Sequence, residues 1–229
     1  MERLSCLTDV KSTQKLPSDN ITNCRLQRQI HSASSINSIK LTELFPVSLK
    51  LPEGFTYYEN FITLQEEQRL VDVIRSLELH PMIFQGFEAR RKVASFGYDY
   101  SFEKRKLSEG KKIPSDLDWL IAKVASHISI PVDGFAELLI TEYPVGSVIN
   151  WHRDAPPFEV IAGLSLLSHC TFKLRPHNKA NQTRKATIAL PVERRSLYVM
   201  SGASREEWQH CTAPVNEVRY SITLRTLKQ

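Results

Sequence analysis

The sequence has few cysteines and few glycines, and the spacing of both excludes several large protein classes. Its four cysteines form no CxxC pair, which argues against a zinc ribbon or a dithiol redox motif and is typical of reduced thiols in an intracellular protein. The eight glycines never lie within ten residues of one another. The dinucleotide motif GxGxxG, the phosphate-binding loop GxxxxGK[ST] and the nucleophile elbow GxSxG are therefore absent. No apolar run approaches the roughly 20 residues that a membrane helix needs, so we expect no membrane partner.

The charge balance and the composition of the first residues describe the organisation of the chain. The 229 residues include 30 Lys and Arg against 25 Asp and Glu, a net charge of +5 that favours an anionic partner such as nucleic acid. Residues 1–48 are rich in Ser, Asn, Thr and Gln and show little periodicity. We interpret them as a disordered tail that precedes one domain at residues 49–229. Because Glu2, Asp9 and Asp19 argue against a transit peptide, we expect a cytoplasmic or nuclear protein without a clear targeting signal.

Two helices are predicted in the first part of this domain, and we expect both to pack against a sheet. Thr63-x-x-Glu66 has the pattern of a capping box, in which each side chain bonds the free backbone N–H of the other residue. Helical spacing follows, and Pro81 marks the predicted end. The second helix is predicted to start at Ser115. The apolar stripes are Leu70, Val73, Ile74 and Leu77 in the first helix and Leu117, Leu120, Ile121, Val124 and Ile128 in the second.

From Phe135 onward the hydrophobic period changes to two. About seven short strands separated by turn residues indicate a β-sandwich or jelly roll. Because the helices come before the strands, the predicted fold class is α+β. The candidate strands are 136–143, 147–154, 159–168, 170–176, 185–191, 195–201 and 218–226.

Three side chains are candidate metal ligands. His152 and Asp154 are two residues apart, and side chains at this spacing on a strand point to the same face. His210 follows 58 residues after the first histidine. Two histidines and one carboxylate that leave coordination positions open form the facial triad of non-haem Fe(II) oxygenases. Taken singly, an H-x-D pair is also consistent with a surface strand or turn, and His210 with a satisfied core histidine.

The last predicted strand has one polar and one apolar face. If the sheet buries the apolar face, the polar face lines either water or a polar cavity, and a solvated edge strand is the simpler alternative. Arg219 and Arg225 lie roughly 20 Å apart at Cα, so their long side chains can lean inward and grip both ends of a small dicarboxylate. The polar face carries Arg219, Ser221, Thr223 and Arg225, and the apolar face carries Tyr220, Ile222 and Leu224.

Together these residues resemble the AlkB family of Fe(II)- and 2-oxoglutarate-dependent dioxygenases. The family pattern is H-x-D, a distant His and then R-x-N-x-T-x-R, and Thr141–Gly146 looks like its upstream N-x-Y-x-x-G segment. The tract 160–168 looks like the strand after the metal motif. The resemblance covers residues 50–229 and implies a double-stranded β-helix, or jelly roll, with flanking N-terminal helices. It also implies a lid hairpin at about 84–112 and a barrel at about 135–229. The pattern is matched by His152-Arg-Asp154, His210 and Arg219-x-Ser221-x-Thr223-x-Arg225.

The resemblance also implies a catalytic centre. Its metal is Fe(II), held by His152, Asp154 and His210, and its cosubstrates are 2-oxoglutarate and O2. Arg219 would pair with the far carboxylate of 2-oxoglutarate, and Arg225 would lie near the keto acid end.

Some positions depart from the family pattern. Tyr143 matches and would hydrogen-bond the cosubstrate, but Thr141 and Ser221 stand where the family has Asn. A hydroxyl can still donate a hydrogen bond, so we expect both to keep a cosubstrate contact with altered geometry. DNA-repair members often carry H-x-D-x-E, with the acidic residue near the target base. Pro156 occupies that place here and leaves the identity of the base open.

The segment between the two helices corresponds to the substrate lid of the family. Residues 90–112 contain eight Lys or Arg and three acids, and a second basic loop follows at 173–185. Basic residues beside aromatic ones suit a phosphate backbone with stacked bases. By alternation, three aromatic side chains share one face that can stack on an extruded base, although a solvated hairpin with core aromatics is the alternative. The predicted substrate-binding residues are Arg90, Arg91, Phe96, Tyr98 and Tyr100.

The leading hypothesis is an oxidative demethylase that removes N-alkyl lesions from DNA or RNA and releases succinate, CO2 and formaldehyde. We expect it to act as a monomer on a single strand or a flipped base. One alternative is a 2-oxoglutarate-dependent hydroxylase of a protein side chain, which the missing acidic residue favours and the basic lid disfavours. The other is a non-catalytic nucleic-acid-binding relative, which the intact metal triad disfavours.

Overall fold

The computed structural model describes residues 50–84, 86–101 and 104–228. The predicted tail at residues 1–48 lies outside this range. The described part consists mainly of antiparallel strands with few helices, which confirms the predicted α+β jelly roll. The helices are α1 (Leu64–Ser76), α2 (Asp118–Ile128) and α3 (Gly202–Glu206). The strands are β1 (Phe55–Tyr58), β2 (His80–Phe84), β3 (Phe87–Ser101), β4 (Lys106–Glu109), β5 (Phe135–Tyr143), β6 (Ile149–His152), β7 (Phe158–Leu166), β8 (Cys170–Pro176), β9 (Ile188–Val192), β10 (Leu197–Met200), β11 (Trp208–Thr212) and β12 (Arg219–Leu227).

Two antiparallel sheets carry the domain. The larger sheet has the order β1-β10-β7-β12-β5-β3-β2, with β4 paired to β3. The smaller sheet has the order β6-β11-β8-β9. None of the described helices is long and apolar enough to span a membrane.

Helices α1 and α2 contribute to the apolar cluster on one side of the larger sheet. The capping box predicted for α1 is present, since the Thr63 hydroxyl accepts from the Glu66 amide at 3.1 Å and the Glu66 carboxylate accepts from the Thr63 amide at 2.7 Å. Helix α1 ends at Ser76, before Pro81, and a short 3₁₀ turn precedes α2. Burial of the helix stripes against the sheet removes their apolar area from water, the main driving force for this packing. Fully buried members of this cluster include Leu70, Ile74, Leu120, Leu138 and Ile140.

A second apolar cluster includes residues from both sheets. It contains Phe158 of the larger sheet and Phe172, Leu174 and Val192 of the smaller sheet. Polar side chains that face the same interior therefore lie in a largely desolvated setting. In such a setting charge–charge interactions are stronger than at the surface.

The seven candidate strands overlap observed strands, but neither they nor the predicted lid hairpin account for β1, β2 or β11. Strand β11 carries the candidate metal ligand His210. Its pairing with β6 shifts register between His210 and Thr212, so the side chains do not follow a regular alternation. A pattern search for period two cannot recognise such a segment.

The long strand β3 changes partner at Gly97. Up to this residue β3 pairs with β5, and beyond it β3 pairs with β4 to form the lid hairpin. Gly97 has a φ of +81°, and a Cβ atom there would lie 2.2 Å from the carbonyl oxygen of Ala136. Only glycine fits this close approach with a left-handed backbone, and the break interrupts the alternation of side chains along β3.

Candidate metal and cosubstrate site

The three predicted metal ligands meet in the smaller sheet. His152 ends β6 and His210 lies on the neighbouring β11, where the two residues are direct cross-strand partners with ring centroids 4.2 Å apart. Asp154 follows two residues after the first histidine. One potential ligand atom from each of the three residues lies within 4.8 Å of the others. Antiparallel pairing of β6 and β11 therefore brings together residues that are 58 positions apart in sequence.

The donor atoms of this cluster fit a divalent metal ion. The Oδ2 atom of Asp154 is buried and has no hydrogen-bond partner among the described residues, and it lies 3.5 Å from His210 Nε2. Such an orphaned carboxylate oxygen is costly unless a ligand occupies it. Nδ1 of His152 lies 2.8 Å from the Asn150 carbonyl; if it donates there, Nε2 is left as the ligand atom. Two imidazoles and one carboxylate are the set that non-haem iron sites use.

The protonation states also suit metal binding. Burial lowers the pKa of His210 to about 3, against the opposing charge of Asp154, so its imidazole is neutral at physiological pH. Burial alone would raise the pKa of Asp154, but the Arg225 guanidinium, followed by the two histidines, holds it well below its usual range. Metal ligands must be deprotonated, and both groups meet that condition.

Two arginines fix the orientation of Asp154. Arg225 donates to Oδ1 from Nη2 at 2.8 Å and from Nε at 3.2 Å, which leaves Oδ2 free. Arg205, which is buried, donates from Nη2 to the carbonyl oxygens of Asp154 at 3.1 Å and Ala155 at 2.6 Å. The carboxylate and its backbone are therefore both held in place.

Arg219 forms a second polar centre, on β12. Its side chain is only 3% exposed, and Nε donates to Ser165 Oγ at 2.9 Å. The guanidinium lies over the Tyr143 ring, 4.8 Å from the centroid, and Ser221 Oγ lies 3.5 Å from the Tyr143 hydroxyl. No described carboxylate pairs with this arginine. A buried cation without a counter-ion is strongly unfavourable, so the position suits an anionic ligand.

The predicted faces of β12 are observed. Tyr220, Ile222 and Leu224 belong to the helix-side cluster, and the alternate residues face the interior. Ser221 is the cross-strand partner of Thr141 on β5 and of Ser165 on β7. The two arginines differ, however, because Arg225 is bound by Asp154 and by a second carboxylate, Glu137. Arg225 is thus already paired with carboxylates of the chain, and its contact with the keto acid end of 2-oxoglutarate stays a prediction.

The predicted shared face of lid aromatics is wrong. Phe96 is buried in the helix-side cluster, whereas Tyr98, beyond the glycine break, is 40% exposed. Tyr100 packs against the second cluster. Gly97 causes the difference, because its left-handed backbone separates the two stretches of the strand.

The two lid arginines also differ in exposure. Arg90 is exposed and lies next to Gly146 in the turn after β5. Arg91 is half-buried, and its Nη2 contacts Met82 Sδ at 2.8 Å. Burial lowers the pKa of Arg91, while the nearby Tyr143 opposes this shift. Arg91 therefore lies on the side of the cosubstrate centre, and Arg90 lies on the outer surface.

Three residues of the site escaped sequence reasoning. Glu137 shares the inner face of β5 with Thr141 and Tyr143, so the period-two alternation of this strand could have predicted its inward direction. Ser165 faces inward on β7, where a serine in an apolar strand gave a weak signal. Arg205 lies in the short helix α3, and no sequence pattern distinguishes it from a surface arginine.

Residues 54–225 match the family model described as the 2OG-Fe(II) oxygenase superfamily. The chain belongs to this superfamily. Membership confirms the predicted enzyme class, a dioxygenase, and the predicted cofactors of the 2OG-Fe(II) oxygenases, which are Fe(II), 2-oxoglutarate and O2.

Curated relatives of this 2OG-Fe(II) oxygenase carry AlkB-homologue names. It is 28% identical over 172 residues to mouse (Mus musculus) tRNA (carboxymethyluridine(34)-5-O)-methyltransferase ALKBH8, covering 72% of this chain and 25% of that protein. It is 29% identical over 152 residues to cattle (Bos taurus) RNA demethylase ALKBH5, covering 56% of this chain and 37% of that protein. Human (Homo sapiens) alpha-ketoglutarate-dependent dioxygenase alkB homolog 3 is 29% identical over 90 residues, which cover 34% of this chain and 32% of that protein. The chain thus spans 25–37% of the length of these relatives.

Solved structures share the fold. OsALKBH1 superposes with a TM-score of 0.63 at 12% identity, covering 77% of this chain and 98% of that one. A Pseudomonas putida prolyl-4-hydroxylase superposes with a TM-score of 0.55 at 15% identity, and the match covers 76% of this chain and 93% of that chain. These two matches show the fold, and the AlkB-homologue names of the curated relatives confirm the resemblance to the AlkB family.

Proposed function

We propose that this 2OG-Fe(II) oxygenase is an oxidative demethylase of nucleic acids. It removes N-alkyl groups from DNA or RNA and releases succinate, CO2 and formaldehyde. It acts as a monomer on a single strand or a flipped base, in the cytoplasm or the nucleus. The observation that carries the proposal is the combination of the metal-ligand cluster with Arg219, a buried arginine that no described carboxylate pairs with. Both belong to a domain whose lid is rich in Lys and Arg.

In the proposed site, His152, Asp154 and His210 hold the iron. When bound, Fe(II) together with 2-oxoglutarate and O2 supplies the oxidising power for hydroxylation of a C–H bond. Arg225 and Arg205 keep the carboxylate ligand oriented, so Oδ2 stays available for the metal. The apolar second cluster excludes bulk water from this interior.

The cosubstrate is proposed to bind at Arg219. Its planar guanidinium can meet the far carboxylate of 2-oxoglutarate with two parallel hydrogen bonds. The hydroxyl of Tyr143 donates a further hydrogen bond, and Thr141 and Ser221 contribute hydroxyls from the two neighbouring strands. Because the arginine is held by Ser165 before the ligand arrives, little ordering is required on binding.

The lid is proposed to hold the nucleic-acid substrate. Arg90, Lys104, Arg105 and Lys106 are exposed, and none of them pairs with a described carboxylate. Cations left unpaired on one hairpin suit a phosphate backbone. Tyr98, exposed on the same hairpin, is the aromatic ring available for stacking on a base. The names of two relatives, RNA demethylase ALKBH5 and tRNA (carboxymethyluridine(34)-5-O)-methyltransferase ALKBH8, mention RNA and support this substrate class.

A protein-side-chain hydroxylase is the rival function. The observation in its favour is Pro156, which stands where DNA-repair members of the AlkB family often have an acidic residue. The likeness to a prolyl-4-hydroxylase concerns the fold alone. The rival predicts that the lid has no particular affinity for nucleic acid.

The salt dependence of oligonucleotide binding separates the two functions. Each neutralised phosphate on a single strand contributes about −0.7 to the slope of log affinity against log salt concentration, so three or four contacts give about −2 to −3. Arg90→Ala should reduce the steepness by about 0.7 and slow demethylation. Arg69→Ala, the same charge change on helix α1, should alter neither. Binding that is flat with salt in the wild type would support the rival function.

A further inference from the structure

Glu137 is a buried carboxylate next to the candidate metal site. It lies on β5, is 4% exposed, and is the direct cross-strand partner of Arg225 on β12. Its Oε2 accepts a hydrogen bond from Arg225 Nη1, and its Oε1 lies 3.5 Å from the hydroxyl of Ser95 on β3. A buried acid in this place requires a reason, because burial disfavours its charged form and raises the pKa of Glu137, although Arg225 opposes this shift.

The contacts form a linear chain from Ser95 on β3 to the metal ligand Asp154. Arg225 is bracketed by two carboxylates, with Nη1 on Glu137 and with Nε and Nη2 on Oδ1 of Asp154. Among the side-chain oxygens of Glu137 and Asp154, Oδ2 of Asp154 is the one without a hydrogen-bond partner in the described part of the chain. The guanidinium therefore decides which carboxylate oxygen faces the histidines.

We infer that Glu137 is a positioning residue for the metal, acting through Arg225 on Asp154. This inference rests on the proposed metal site. An arginine that faces a single carboxylate withdraws charge from it and competes with a metal ion for its lone pairs. A second carboxylate on the other side of the guanidinium shares that charge and leaves Asp154 a better donor. It also fixes the guanidinium plane, so the fork keeps its grip on Oδ1.

A simple structural ion pair is the competing explanation, and the chain offers a matched control for it. Glu67 is another buried glutamate, 1% exposed, that pairs with Arg194 and accepts from the Leu167 amide at 2.8 Å. Its partner is not bonded to a metal ligand. If burial and pairing alone matter, replacing either glutamate by glutamine should change the metal affinity to the same extent.

The test measures metal affinity directly in the full-length protein. Mn(II) or Co(II), which resist oxidation, are titrated into the wild type, Glu137→Gln, Glu137→Asp and the control Glu67→Gln. Glu137→Gln should bind either metal about 10- to 100-fold more weakly, the usual effect of losing a partner that orients a metal ligand. The visible spectrum of the Co(II) form should also change. Glu137→Asp keeps the charge and should bind more tightly than Glu137→Gln, while Glu67→Gln should keep wild-type affinity.

Folding is not expected to obscure the result, because Arg225 still has Asp154 as a counter-ion in Glu137→Gln. Wild-type metal affinity in Glu137→Gln, or equal losses in the glutamine and aspartate variants, would overturn the inference. If His152→Ala binds the metal as tightly as the wild type does, the proposed metal site is overturned as well. Metal binding that needs His152 but not Glu137 would overturn the inference alone.

Discussion

Replacing Arg219 by Met should weaken 2-oxoglutarate binding without destabilising the ligand-free protein. Met has a similar length but carries neither the charge nor the fork. A charge-assisted, bidentate contact is worth about 1.5–3 kcal/mol, so affinity for 2-oxoglutarate should fall by roughly one to two decades. Arg219→Lys should restore only part of it, because an ammonium keeps the charge without the planar geometry.

The same substitution should not destabilise the ligand-free protein. Arg219 is buried, and no described carboxylate balances it, so Met removes an unfavourable charge while filling the same space. The losses are one hydrogen bond to Ser165 and the contact with the Tyr143 ring. Each kcal/mol of change should shift the unfolding temperature by about 2–4 °C in a domain of this size.

Calorimetric titration of the Mn(II)-loaded protein with 2-oxoglutarate, combined with thermal unfolding, measures both effects. The ligand should raise the unfolding temperature of the wild type, and it should raise that of Arg219→Met clearly less at the same ligand concentration. Arg195→Met is a matched control, since that arginine bonds Asn60. An Arg219→Met variant that binds 2-oxoglutarate like wild type would refute the reasoning, because another cation would then have to hold the far carboxylate.

Three further predictions concern other parts of the site. His152→Ala and Asp154→Ala should each abolish iron-dependent conversion of 2-oxoglutarate to succinate while circular dichroism shows an intact fold, and unchanged turnover would remove that residue from the metal site. In the metal-free protein, His210 takes up a proton below about pH 6.5 in the unfolded state but only below about pH 3 in the folded state. The free energy of unfolding should therefore fall by about a few kcal/mol as the pH drops from 6.5 to 3. Denaturation measured at several pH values should show a weaker pH dependence for His210→Asn than for the wild type. Phe96→Ala should cost about 3–5 kcal/mol of stability, whereas Tyr98→Ala should leave stability nearly unchanged and weaken oligonucleotide binding by about 1–3 kcal/mol; the reverse pattern would show that the aromatic roles are exchanged.

The parts of the site that follow from strict alternation could be predicted from the sequence. From Arg219 to Arg225 the last strand alternates regularly and its pairing shifts register only beyond Arg225, so the inward direction of Arg219 and the outward direction of Ile222 follow from the geometry of a strand. His152 and Asp154 could be grouped for the same reason. His210 could be named as a candidate from its residue type, but its place opposite His152 could not be derived from alternation, because its own strand has an irregular register.

The features that were missed depend on contacts between distant segments. The backbone at Gly97 changes direction because β3 leaves one partner strand for another, and no local pattern reveals such an exchange. The environment of Glu137 depends on its cross-strand partner, which lies 88 positions later. Arg205 reaches two carbonyl groups about 50 residues away in sequence, and only the folded chain brings them together.

The central claim is most directly tested by the fate of a methyl group. The protein is incubated with Fe(II), 2-oxoglutarate and single-stranded oligonucleotides that carry N-methylated bases, and formaldehyde, succinate and the remaining methylated base are measured by mass spectrometry. The proposed function predicts one formaldehyde for each methyl group lost, and none with His152→Ala. Succinate formed without formaldehyde from any methylated oligonucleotide, together with hydroxylation of a protein substrate, would contradict it.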